Sequence, residues 1–166
     1  MTELYFDEIA SPIGTIVIIS DGTSLCALDF ESCKERTQQL LEKRFGKFTL
    51  ICQPNINGFS DLIRAYLEGD VTSLEQIPVN TGGTDFQRQV WATLRTIPAG
   101  KVMSYGEVAQ KIGRPTASRA VGMANSQNPV ALVLPCHRVI GSNSKLTGYA
   151  GGLDRKEWLL KHEGAL

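Results

Sequence analysis

Apolar residues alternate with polar ones in the first third of the chain. They recur every three or four positions in the second half. Tyr5–Ile9, Thr15–Ser20 and Ser24–Phe30 are rich in β-branched and aromatic residues, which predicts three short strands. Ser11-Pro12-Ile13-Gly14 and Asp21-Gly22 supply the turns, so the strands are expected to form an antiparallel meander. Ser32 with Glu35 reads as a capping box for a helix that Gly46 closes, and Ser60 reads as the cap of a short helix over 61–68. Phe48–Cys52 is a further strand candidate.

Beyond Asn80-Thr81-Gly82-Gly83 the period becomes helical. Phe86, Val90, Trp91, Leu94 and Ile97 lie on one face of a helix that Thr84 and Gln87 cap. Ser104 and Glu107 form another capping box, for a helix ending near Ile112. After Gly113-Arg114-Pro115-Thr116 comes a helix over 117–125. Asp154 is expected to cap a last one running through Glu163. The division therefore falls at 1–83 and 84–166.

The charge changes sign at the same place. Residues 1–83 hold 6 lysines and arginines against 12 acidic residues, a balance of −6, and residues 84–166 hold 11 against 5, a balance of +6. A basic half suggests an anionic partner; two opposed halves could equally attract each other. Hydrophobic content of 42% and charged content of 20% are those of a globular protein. No apolar run reaches the ~18 residues of a membrane span, and the N-terminus shows no secretory signal. A cytoplasmic location, reduced thiols and no membrane partner are expected.

Two stretches could carry chemistry. The helices around Gly113-Arg114-Pro115 have helix-turn-helix spacing. The second is built of small residues with Arg119 as its one long cation. It suits shape and phosphate binding better than base reading, or else a tightly packed αα-corner. In Pro135-Cys136-His137-Arg138 a thiol is flanked by an imidazole and a guanidinium, and both favour the thiolate. Neighbours on a strand face opposite ways, so a Cys136–His137 partnership needs an irregular backbone or a bridging water. A buried structural cysteine is the other reading. Cys26, Cys33 and Cys52 read as fillers. Glu163 could orient His137 or lie on the surface.

The stretch Pro135-Cys136-His137-Arg138-Val139-Ile140 resembles the active-site motif of the O6-alkylguanine-DNA alkyltransferases. The resemblance extends through Phe86–Trp91, Ile97–Gly100, Ser104–Glu107, Ser118–Gly122, Asn128-Pro129, Gly148–Gly152 and Lys156–Gly164, in that order. The first half resembles the single-unit bacterial form.

The resemblance implies an α/β (α+β) protein. An N-terminal ribonuclease-H-like domain with a small antiparallel sheet would precede a mainly helical, winged-helix-like DNA-binding domain. It implies transfer of the alkyl group of O6-alkylguanine, and less well O4-alkylthymine, to Cys136, once per molecule. His137 would activate the thiol through a water, Glu163 would hold His137, and Tyr105 would donate to the leaving guanine. Ala117, Ser118, Arg119 and Gly122 would meet the minor groove, with Arg119 filling the gap left by the flipped base. Asn128 would be a hinge, and Val139, Tyr149, Ala150 and Gly151 would line the pocket. Pocket size would depend on the loop over 142–152, with Lys145 to Thr147 restricting or admitting bulky adducts. The partner implied is double-stranded DNA containing alkylated bases, met as a monomer and without a cofactor. Some family members hold zinc in the N-terminal half or carry an extra N-terminal domain. No histidine precedes His137 here and the chain has 166 residues, so neither is expected. A non-enzymatic lesion-binding protein and a Cys–His hydrolase are the competing classes.

Overall fold

The computed structural model describes residues 1–142 and 146–166. The chain forms two compact units. The first holds Met1–Gly82 together with Pro129–Val133; the second holds Gly83–Asn128 and Leu134–Leu166. The return of 129–133 to the first unit has no counterpart in the division at 83/84.

In the first unit, strands β1 (Thr2–Ile9), β2 (Ile16–Ser20) and β3 (Leu25–Phe30) make the antiparallel meander. Strand β4 (Phe48–Cys52) adds beside β1 in parallel, so the sheet is mixed rather than antiparallel, in the order β3-β2-β1-β4. A parallel neighbour needs a crossover, and α1 (Lys34–Phe45) provides it. Leu41 of α1 packs with Leu4, Ile19 and Ala27 on one sheet face. The other face carries Asp7, Ile16, Ile18, Leu28 and Phe30. It receives α2 (Phe59–Leu67), whose Ser60 hydroxyl donates to the Asp7 carboxylate. The outer edge of β3 is capped by bridges from Val79 and Val130, which explains why all six β3 residues are buried. Within the returning segment Leu132 has a left-handed φ of +68°. For a residue with a Cβ that costs about 1–2 kcal/mol.

Three of the expected caps are absent. Cys33, not Ser32, is the N-cap of α1, because residues Glu31–Cys33 form a 3-10 turn ahead of it. Gly58 precedes α2, and Ser60, taken up by Asp7, makes no cap. The last helix, α6 (Leu153–His162), starts after Gly152, with Asp154 in its first turn without a capping bond.

The second unit is helical. Helices α3 (Asp85–Leu94) and α4 (Tyr105–Lys111) both carry the expected capping boxes, Thr84 with Gln87 and Ser104 with Glu107. Helix α4 stops at Gly113, whose φ of +78° lets the Arg114 amide reach back to the Ala109 carbonyl. Helix α5 (Ser118–Ser126) follows, buried through Val121, Ala124 and Asn125. Trp91 of α3 donates its indole N–H to the Ala124 carbonyl at 2.9 Å. Two-residue strands β5 (Met103–Ser104) and β6 (Val139–Ile140) pair in parallel. Gly83 opens this unit with φ +85°, and a Cβ there would stand 2.8 Å from the Trp91 ring. Gly83→Ala is expected to cost about 1–3 kcal/mol, read as a lower Tm in thermal unfolding.

Candidate active site

The chain turns at 131–133, and after Pro135 the residues Cys136–Arg138 form one 3-10 turn. That is the irregular backbone a partnership between Cys136 and His137 requires. Cys136 is 7% exposed and His137 is fully enclosed. The turn leads directly into β6.

Glu163, at the C-cap of α6, is buried rather than on the surface, and it organises the cluster. Its Oε2 lies 2.8 Å from His137 Nε2 and accepts from Arg138 Nη2 at 3.0 Å; its Oε1 accepts from Arg138 Nε at 2.8 Å. Arg138 Nη1 donates to the Ile97 carbonyl at 2.7 Å. The guanidinium therefore serves the carboxylate rather than standing over the thiol.

Hydrogen bonds from His137 and Arg138 outweigh burial and hold the Glu163 carboxyl down at about 2. An ionised carboxylate only accepts, so His137 Nε2 carries the proton. Burial lowers the imidazole's pKa against the pull of Glu163, with the Arg138 and Lys156 charges acting the same way as burial. His137 is thus neutral at pH 7, with its lone pair on Nδ1. That atom is buried and has no hydrogen-bond partner among the described residues. Cys136 is followed by a desolvated base with one open acceptor.

Lys156 of α6 is also fully buried. Its Nζ donates to the Val139 and Thr147 carbonyls, each at 2.6 Å, and reaches Gly148 O at 3.5 Å. It thereby ties β6 to the start of the glycine-rich loop. Desolvation pulls its pKa down to about 8, against the opposing charge of Cys136.

Tyr105, first residue of α4, is half-buried, and its hydroxyl lies 3.4 Å from both the carbonyl and the hydroxyl of Thr147. Its ring lies beside Gly122 of α5. Asn128 is buried and donates to the Leu134 carbonyl at 2.7 Å. Val139 is buried, Tyr149 and Gly151 are half-buried, and Ala150 is exposed. Gly151 O accepts from Arg155. On α5, Ala117 is the N-cap and Ser118 the first residue, both half-buried, and Arg119 is exposed. Lys145 lies outside the described residues, as does part of the 142–152 loop.

Cys136, His137 and Glu163 are thus brought together. Sequence reasoning gave no part to Lys156 or Asn125. Both lie on apolar helical stripes, Lys156 with Leu159 and Leu160, Asn125 with Val121 and Ala124, and a polar residue in such a stripe was the available signal. The other cysteines differ from Cys136. Burial and nearby Asp21 push the Cys26 thiol up to about 11, Cys33 is half-buried and Cys52 is exposed.

Residues 4–81 match the family described as 6-O-methylguanine DNA methyltransferase, ribonuclease-like domain. Residues 85–165 match its DNA binding domain. The chain belongs to the 6-O-methylguanine DNA methyltransferase family. It is 50% identical over 169 residues to the methylated-DNA–protein-cysteine methyltransferase of Shigella flexneri, covering 100% of this chain and 99% of that one. The crystal structure of Mycobacterium tuberculosis O6-methylguanine methyltransferase superposes with a TM-score of 0.82 at 40% identity, over 98% of this chain and 93% of that one. The mycobacterial protein in complex with DNA gives a TM-score of 0.81 at 40% identity, over the same shares. This methyltransferase family thus accounts for both units, the ribonuclease-like one with its mixed sheet and the helical one.

Proposed function

We propose that this chain repairs DNA by moving the methyl group of O6-methylguanine, and less well the alkyl group of O4-alkylthymine, onto Cys136. One arrangement carries the reading. A thiol at the head of a 3-10 turn precedes a neutral, buried histidine whose Nε2–H is fixed by Glu163.

The steps follow from that arrangement. The Cys136 proton passes through one water to His137 Nδ1, and the growing imidazolium is stabilised by the Glu163 carboxylate. The thiolate attacks the methyl carbon in line. The S–C bond forms, the C–O6 bond breaks, and its electron pair goes to the guanine. Tyr105 donates its hydroxyl proton to the base as that charge develops. The thioether does not hydrolyse, so each molecule acts once.

Access needs the base outside the stack. Helix α5 seats in the minor groove through Ala117, Ser118 and Gly122, and Arg119 takes the space the flipped base leaves. Asn128 then acts as a hinge between α5 and the reactive turn. Val139, Tyr149, Ala150 and Gly151 surround the base.

The test is transfer stoichiometry. With excess duplex carrying labelled O6-methylguanine, one methyl per protein is expected on the peptide containing Cys136, with no turnover beyond it. Tight binding with unlabelled protein would support a lesion-binding protein instead, and repeated turnover would support a hydrolase.

A further inference from the structure

One buried side chain beside Cys136 has no part in this chemistry. Asn125 lies in the last turn of α5 and is 5% exposed. Its Nδ2 donates to the carbonyl of Cys136 itself at 3.3 Å. Its Oδ1 is buried and has no hydrogen-bond partner among the described residues. A buried acceptor without a partner is a cost that a leucine of similar size would avoid. The amide is therefore a poor choice for stability alone, and its value lies in the donor.

That donor is one of a pair. Asn128 Nδ2 holds the Leu134 carbonyl and Asn125 Nδ2 the Cys136 carbonyl. The two ends of Leu134-Pro135-Cys136 thus hang from the C-terminal end of α5. Pro135 has no N–H to give, and the Cys136 amide already donates to Leu134 O. The exposed residues Arg119 and Ala120 stand at the opposite end of the same nine-residue helix. At 3.3 Å the Asn125 bond is at the long end for N–H···O, so a small displacement of α5 tightens or breaks it.

We propose that Asn125 is a positioning residue, distinct from the Asn128 hinge, that couples the seating of α5 on DNA to the placement of the Cys136 thiol. The proposal rests on the alkyl-transfer reading above. Contact with a duplex fixes α5, and through the Asn125 amide it fixes the carbonyl of the reacting residue. A free base in solution makes no such contact, so its reaction gains nothing from the fixing of α5 that Asn125 passes on.

The experiment compares two donors of the same methyl group, a duplex carrying O6-methylguanine and the free O6-methylguanine base. Single-turnover rates of Cys136 labelling are measured with each for the wild type and Asn125→Leu, with duplex affinity and Tm alongside. The duplex rate is expected to fall about five- to tenfold, as loss of one amide–carbonyl bond would give. The free-base rate should stay within about twofold, duplex affinity should hold, and Tm should be unchanged or higher. Asn125→Ser, which adds no bulk, gives the same comparison should the leucine variant not fold. Rates that fall together with both donors, or a duplex rate that does not change, overturn the proposal while leaving alkyl transfer intact. A wild type that labels Cys136 from neither donor overturns the alkyl-transfer reading, and this proposal with it.

Discussion

Serine at position 136 is expected to leave a protein that binds a duplex carrying O6-methylguanine and transfers nothing. The change swaps one atom in a side chain that is 7% exposed, so the fold and Tm should hardly move. The chemistry changes far more. A thiol with an ordinary pKa of ~8.5 can yield its proton to a neutral imidazole near pH 7, and an alcohol cannot. A sulfur nucleophile is also intrinsically better at a methyl carbon. The measurement is label retained on DNA against label on protein, with duplex affinity expected within about threefold of wild type. Label still reaching Cys136→Ser would move the reactive centre elsewhere.

Glu163→Gln should damage both stability and rate. The carboxylate faces two partners at once, and Arg138 would be left buried without its counter-charge. Breaking a buried pair from one side costs about 3–5 kcal/mol. Transfer should slow about 10²-fold, because glutamine can present its NH₂ to His137 Nε2 and turn the tautomer so that Nδ1 carries the hydrogen. The carboxyl's pKa, held at about 2 against an ordinary 4.5, also gives the effect a pH signature. A depressed carboxyl contributes stability that is complete above pH 4.5 and is lost as pH falls towards 2. The contribution is about 3 kcal/mol. His137, whose pKa is also lowered, acts in the same direction below 6.5. Urea midpoints at pH 7 and pH 3 should therefore show a wide gap between wild type and Glu163→Gln at neutrality and a narrow one in acid. Equal gaps at both pH values would remove Glu163 from the charge balance.

What the sequence discloses depends on how local the deciding contact is. The Thr84 and Ser104 capping boxes close over three residues, and both form as read. Ser60 also reads as a cap, though without a glutamate or glutamine three residues on, and its hydroxyl is taken by Asp7, 53 residues earlier. The Phe48–Cys52 strand is visible as a strand. Its parallel register against β1 is not, because nothing within either segment encodes the crossover. Cys136 and His137 are adjacent, and Pro135 hinted at the turn they share. Glu163 lies 26 residues beyond His137, so the spacing leaves an orienting role and a surface position both open, and the resemblance to a family favours the first. Lys156 and Asn125 were passed over because their partners are backbone carbonyls, which no side-chain pattern announces.

The strand edge that Val130 covers sets a timetable for the nascent chain. Everything else in the ribonuclease-like unit is synthesised by Gly82, yet β3 keeps an open edge at Leu28 until Pro129–Val133 arrive. The 46 residues between, Gly83–Asn128, include α3, α4 and α5. At about 5–20 residues per second, that edge stays bare for roughly 2–10 s on the ribosome. Early chaperone capture and pairing with a neighbouring nascent chain are concentrated in that interval. A gene cut at residue 83 would make the interval permanent.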